Sequence, residues 1–253
     1  MVHLHPHWIG WLPTGPSPGS PRWPAGSVII MLDTVAADLR VLLALRIRGN
    51  ADTPVVAGRA ELSEDDAKSV LDSLVETGEV EYKETTNFGS FWRSTNEGQS
   101  RLLALLAEEL DSAGARVAVT KTYERFLAAD FSFKELCTDW QMLPGDDPET
   151  RQLNDHADQD YDTTVVARLN LFDERMQPIY ADLAAHLQRL TGYGPRFAHA
   201  LDHVQGGDHD WFASPRVESY HHVWQEMHYN LQSTLGIDRA EEEASRAAAE
   251  VSG

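Results

Sequence analysis

The spacing of the apolar residues changes at Gly78, and this change constrains the fold more than any other feature of the chain. Between positions 67 and 75 the apolar residues recur every three or four residues, which is the spacing of one face of an α-helix. Residues 79–84 instead alternate with the period of a β-strand. Gly78 can adopt the left-handed conformation that closes a helix. The sequence therefore predicts a helix over about 64–77 that leads directly into a strand.

Two further helices are predicted before this one. Apolar residues follow a helical period from Val35 to Arg48, and Gly49-Asn50 is a typical helix stop. Asp52 or Thr53 can cap a short second helix. Ser63 precedes three acidic residues, which favour the first turn because they complement the helix dipole, so it is the expected cap of the third helix.

A second strand and a fourth helix are predicted after the first strand. Phe91–Thr95 contains aromatic and β-branched residues, and Asn87-Phe88-Gly89 has the composition of a turn, so a β-hairpin is expected. Asn96 is the expected cap of a helix that continues to about Leu110. Residues 31–112 are thus predicted to form three helices, a hairpin and a helix, in that order.

This order resembles the winged helix-turn-helix domain of MarR-like bacterial transcriptional regulators. Val70–Val80 (VLDSLVETGEV) looks like the end of that family's recognition helix and its first wing strand, and Ser94–Gln99 (STNEGQ) looks like the turn after the wing. The resemblance covers about a third of the chain. It implies a cytoplasmic, homodimeric regulator that binds double-stranded DNA. Winged helices also serve as protein-contact modules, so an acidic accessory module that does not bind DNA is the alternative.

The resemblance also implies where DNA would be contacted. In such domains the third helix enters the major groove, and the wing touches the phosphates. The formal net charge of -19 repels a phosphate backbone, so binding would depend on a local group of cations. The residues implied as DNA contacts are Arg59, Ser63, Lys68, Ser69, Ser73, Lys83 and Arg93.

The second half of the chain is predicted to be wholly helical. The helices are interrupted by a break at Ala113-Gly114 and by a polar loop over 144–162. A long helix from 165 to 190 follows, and then two further helices, around 197–204 and 217–235. The predicted fold class is mainly α: a winged helix-turn-helix with a two-stranded wing, followed by an α-helical bundle domain.

The chain is accordingly divided into four predicted segments. Residues 1–30 are rich in Pro, Gly, Trp and His and are expected to be a disordered extension, with Met31 as an alternative start of translation. Residues 31–112 form the winged domain and residues 113–237 a helical domain for dimerisation and ligand binding. Residues 238–253 form an acidic tail.

An effector pocket is predicted in the helical domain, where aromatic side chains could form walls and a few polar groups could orient a small molecule. An effector that prefers one domain arrangement would shift the population of DNA-competent states. The residues assigned to this pocket are Trp140, Asn154, His156, Tyr161, Arg216 and Trp224.

The sequence contains no signature of catalysis or of a cofactor. It lacks the nucleophile-elbow, phosphate-loop and dinucleotide motifs, so we expect no catalytic residue, no cofactor and no enzyme. His199 with His203, and His222 with Glu226, have a chelating four-residue spacing, but such pairs arise often by chance and no metal is assigned. Cys137 is the only cysteine and is expected to be a buried thiol. No apolar run reaches the roughly 18–20 residues of a membrane helix.

Overall fold

The computed structural model describes the backbone of residues 25–86, 89–145, 151–238 and 242. The chain divides into two units, Met1–Ala36 and Ala37–Gly253, and every side-chain contact below lies within the second. The described residues form a mainly helical fold with one antiparallel hairpin. The elements are α1 (Ala25–Arg48), α2 (Thr53–Ala60), α3 (Glu64–Glu76), β1 (Val80–Thr85), β2 (Gly89–Ser94), α4 (Asn96–Ser112), α5 (Arg116–Gln141), α6 (Gln159–His186), a 3-10 turn (Gln188–Leu190), α7 (Tyr193–Gln205), α8 (Asp210–Ala213) and α9 (Tyr220–Leu235).

Side-chain caps fix the starts of α2, α3 and α4. Asp52 accepts a hydrogen bond from the backbone N–H of Val55, and Ser63 accepts one from Asp66, as the sequence predicts. At α4 the cap is Thr95, which accepts from the N–H of Gly98, and not Asn96 as predicted. Thr95 still has extended backbone as it leaves β2, and this is the conformation that a cap requires.

The first helix begins earlier than the sequence indicates. Periodicity predicts a start near Val35, whereas α1 begins at Ala25, so the expected extension over 1–30 overlaps the helix. Pro24 is the last proline before α1, and no helix-breaking proline follows it up to Pro54. Residues 1–24 of the predicted extension lie outside the described residues, as does most of the predicted tail over 238–253.

The hairpin pairs in a register that places Val80 opposite Ser94 and Tyr82 opposite Trp92. The predicted turn residues at its tip, 87–88, lie outside the described residues. Trp92 fixes the hairpin to the segment between α1 and α2, because its backbone forms hydrogen bonds of 2.8 and 3.2 Å with Ala51 and its indole N–H donates to Thr53. The hairpin is therefore held against the helices rather than projecting alone.

Buried apolar side chains form two clusters. One is contributed by α1–α4 and the hairpin, and the other by the end of α4 and α5–α9. Trp224 lies in the second cluster, with ring centroids 4.2 Å from Phe126 and 4.6 Å from Phe133. Burying an aromatic or large aliphatic side chain contributes about 1.5–3 kcal/mol, so these clusters supply the main stabilisation of the fold.

Cys137 is part of the second cluster and is buried, as the sequence predicts. Burial raises the pKa of its thiol to about 12, so the reactive thiolate form is rare at neutral pH. None of the helices within the described ranges is long and apolar enough to cross a membrane.

Among the glycines that the structure describes, Gly98 has the least space for a side chain. A Cβ atom there would lie 2.0 Å from the backbone oxygen of Glu79. We expect Gly98→Ala to lower the free energy of unfolding by about 2–3 kcal/mol, the cost of overpacking, as measured by urea denaturation. Gly58, exposed in α2 with nothing within 4 Å of an added Cβ, is the control. Gly58→Ala should stabilise the protein by about 0.5–1 kcal/mol, and equal effects of the two substitutions would contradict this assignment.

Candidate functional site

The exposed face of α3 carries the predicted DNA contacts of that helix. Ala67, Leu71 and Leu74 are buried, so the opposite side of the helix faces solvent. The predicted DNA contacts in α3 and at its cap are all exposed: Ser63, Lys68, Ser69 and Ser73.

Lys68 is bound by a carboxylate of its own helix. Its ammonium group donates to both oxygens of Asp72 at 2.6 and 2.5 Å, as expected for residues four apart on one helix face. The same ammonium lies 5.3 Å from the ring centroid of Trp92. Lys68 is therefore directed towards the hairpin and towards an acidic neighbour.

The two predicted wing cations share one carboxylate, that of Glu81. Lys83 lies two residues from Glu81 on the same side of β1, and Arg93 is the cross-strand partner of Glu81. The Lys83 ammonium lies 2.7 Å from the Glu81 carboxylate, and Arg93 Nε donates to the same carboxylate at 2.7 Å. These hydrogen bonds, from Lys83 first and then from Arg93, lower the pKa of Glu81 and keep it ionised.

Arg59 lies in a different environment from the other predicted contacts. Its guanidinium, on α2, forms ion pairs with Glu218 and with Glu226 of α9, the latter at 3.1 Å. Arg196 of α7 binds the same two carboxylates. His222 lies 3.0 Å from Glu226. We call these five residues the Glu226 cluster.

Glu226 is the most buried charge of this cluster, with 5% of its side chain exposed. Burial alone would raise its pKa, but the hydrogen bond with His222 and the charges of Arg196 and Arg59 outweigh that effect and lower the pKa to about 2. Glu226 is therefore ionised at neutral pH. His222 and Glu226, which have chelating spacing in the sequence, are engaged here in an ion-pair network with arginines.

Three of the predicted ligand-binding residues come together at the start of α6. His156 Nδ1 lies 2.9 Å from a carboxylate oxygen of Asp162, and its ring centroid lies 4.4 Å from that of Trp140. The amide of Asn154 donates to the other Asp162 oxygen at 2.8 Å and to the Trp140 backbone oxygen at 3.1 Å. The His209 ring lies 4.5 Å from that of His156. We call these five residues the His156 cluster.

The other three predicted ligand residues are not members of the His156 cluster. Tyr161 borders it, because its hydroxyl donates to the Asp139 backbone oxygen at 2.7 Å. Trp224 lies in the aromatic core and donates to Asp130, so its place is in packing. The side chain of Arg216 is 82% exposed, with Asp210 as an ion-pair partner at 3.9 Å.

Sequence reasoning missed two members of the His156 cluster, Asp162 and His209. Asp162 is one of several acids around the predicted loop, and nothing local distinguishes it from its neighbours. His209 is distant along the chain and arrives through the packing of the segment before α8. The spaced pair that the sequence does reveal, His199 and His203, packs against Trp211, whose ring is stacked 4.0 Å from that of His203.

An open cavity of about 420 Å³ lies between α1, α4 and α9. Its lining includes Arg46, Leu103 and Tyr229. The residues that line it do not include any of those predicted to bind an effector. The predicted pocket and this cavity are therefore different places in the fold.

Comparison of the chain with protein-family models, curated proteins and solved structures finds no match. The resemblance to MarR-like regulators therefore stays a prediction from the sequence.

The Glu226 cluster predicts how stability depends on pH. Because the pKa of Glu226 is lower in the folded state than in an unfolded chain, its contribution is present above about pH 5 and is lost as the pH falls towards 2. The contribution is about 3 kcal/mol. We expect Glu226→Gln to be less stable at pH 7 and to show a shallower loss of unfolding free energy between pH 5 and pH 3. Glu124→Gln, at an exposed position of α5, should keep the wild-type slope. Identical slopes in all three proteins would contradict the role of Glu226.

Proposed function

We propose that residues 31–112 form a winged-helix unit that binds a protein with a basic surface, so that the chain is an interaction module rather than a DNA-binding regulator. The observation that carries this proposal is the charge of α3 and the hairpin. These elements contain seven carboxylates and three cations: Glu64, Asp65, Asp66, Asp72, Glu76, Glu81 and Glu84 against Lys68, Lys83 and Arg93.

The excess of carboxylates opposes DNA binding more than the pairing of the cations does. Breaking an exposed ion pair costs only about 0.2–1 kcal/mol, so Lys83 or Arg93 could exchange Glu81 for a phosphate. A carboxylate brought within about 4 Å of a phosphate costs about 1–4 kcal/mol, depending on the local dielectric. The excess of four carboxylates over cations on α3 and the hairpin therefore opposes a duplex and favours a cationic partner.

α3 and the hairpin also expose apolar side chains. Tyr82 on β1 is 44% exposed and Val75 on α3 is 39% exposed. Aromatic residues inside a charged rim are typical of protein interfaces. The order of elements and the attachment of the hairpin to Ala51 support the winged-helix assignment. The homodimer and the small-molecule effector remain predictions.

A matched pair of charge variants tests the proposal. Asp65→Asn/Glu76→Gln/Glu84→Gln lowers the excess of carboxylates on α3 and the hairpin from four to one. Glu124→Gln/Glu135→Gln/Glu174→Gln removes the same charge from exposed positions of α5 and α6. The probe is a fluorescent Lys/Arg-rich peptide of about 20 residues, followed by anisotropy at about 0.15 M salt. We expect the first variant to raise the Kd about tenfold and the second less than twofold. Equal losses would show that the peptide senses only net charge.

The DNA-binding alternative is tested with a duplex that carries the DNA upstream of the protein's own coding sequence. We expect wild type to show no saturable binding in the same assay, because the docking face is acidic. A submicromolar Kd that is lost in Lys83→Glu/Arg93→Glu, with unchanged folding by circular dichroism, would overturn the interaction-module proposal in favour of a regulator.

A further inference from the structure

We propose that His156, Asp162 and His209 bind a divalent transition-metal ion such as Zn²⁺. One ligand atom from each residue lies within 4.8 Å of the other two. Zinc binds imidazole nitrogen and carboxylate oxygen at about 2.0–2.2 Å, so the ligand atoms of one ion lie about 3–4 Å apart. Small side-chain rotations bring the three ligand atoms of this site to that spacing. This site is separate from the α3–hairpin face and does not depend on its function.

The donor set selects the class of metal. Two imidazoles and one carboxylate suit zinc, cobalt or nickel better than calcium or magnesium, which prefer oxygen ligands. The three ligands come from the loop before α6, the first turn of α6 and the segment before α8. Convergence of separate elements distinguishes this cluster from an accidental pair on one helix.

Asp162 is held as a ligand by its surroundings. Its side chain is 6% exposed. One of its oxygens accepts a hydrogen bond from Asn154, which is itself anchored on the Trp140 backbone oxygen. The second oxygen is directed towards His156. Hydrogen bonding of the non-ligating oxygen is the outer support that orients carboxylates in metal sites.

His156 is also held in place by Asn154. The Asn154 side-chain oxygen accepts the His156 backbone N–H at 3.0 Å, and His156 has a φ of 60°, a left-handed conformation that few residues other than glycine adopt. The Trp140 ring packs against both imidazoles, with centroids 4.4 Å from His156 and 5.4 Å from His209. Phe212 stacks on the Trp140 ring. This apolar base limits rotation of the imidazoles.

The proposed site has an open side. His209 is exposed, so an ion can enter from solvent. Three protein ligands leave at least one position of a tetrahedral ion for water or an external ligand, which is the arrangement of reactive rather than purely structural zinc sites.

Zinc titration by calorimetry, after removal of metal with a chelator, tests the site. His3, His5 and His7 form a second histidine-rich group, so all proteins carry alanine at these positions. We expect this full-length background protein to bind one Zn²⁺ per chain. His209→Ala should weaken binding at least tenfold, and Asn154→Ala should weaken it by about 10–100-fold because it removes the support of Asp162. His186→Ala, which removes an exposed imidazole of α6, should bind like the background protein.

Circular dichroism checks that each variant is folded. Asp162→Asn removes the charge of the proposed ligand while the side chain keeps its shape. Cobalt supplies an independent readout, because the intensity of its visible absorption reports coordination number. Three outcomes would overturn the proposal: no binding above millimolar Kd in the background protein, equal affinity of the His209→Ala and His186→Ala proteins, or loss of the ion in His199→Ala/His203→Ala with retention in His209→Ala.

Discussion

The ion pairs around Glu226 are the polar interaction on which the placement of α2, α7 and α9 depends. A carboxylate with 5% exposure is stable only when cations surround it, because an unpaired buried charge costs several kcal/mol. Arg59 comes from α2 and Arg196 from α7, so a single carboxylate on α9 connects helices from both apolar clusters. This connection also explains why Arg59 is not part of the α3 surface: its guanidinium has a structural partner that a phosphate would have to replace.

The acids of this chain act in different ways, and net charge alone conceals the difference. Asp66 belongs to the Ser63 cap, since the Ser63 hydroxyl donates to its carboxylate at 2.6 Å, and Glu81 neutralises two wing cations. Such acids stabilise local structure whatever the protein binds. Glu76 and Glu84 are exposed on α3 and β1, and acids of this kind create the field that a partner meets. The function of the α3–hairpin face therefore depends on the second group more than on the formal charge.

Sequence patterns predict the parts of this fold that local interactions determine. The bounds of α3, the caps at Asp52 and Ser63 and the hairpin follow from periodicity and capping chemistry within a few residues of each position. Contacts between residues distant in the sequence are not predicted by such patterns. Trp224, which the sequence assigns to a pocket, packs against Phe126 in the core, and Asp162 and His209 meet His156 only because α5, α6 and α8 pack together. A four-residue spacing rule finds pairs on one helix and cannot find ligands contributed by three elements.

The polar segment over residues 151–158, just before α6, is held in place by hydrogen bonds although it forms no helix. The sequence predicts a long loop over 144–162, and α6 in fact begins at Gln159. Backbone hydrogen bonds join Leu143 to Gln152 and Asn154 to Gln141, so the segment from 151 onwards lies against the end of α5. This contact places Asn154 next to the Trp140 backbone oxygen, and Asn154 then orients both Asp162 and His156. The His156 cluster thus depends on where α5 ends and α6 begins, and on the contacts of Asn154 with Trp140, Asp162 and His156.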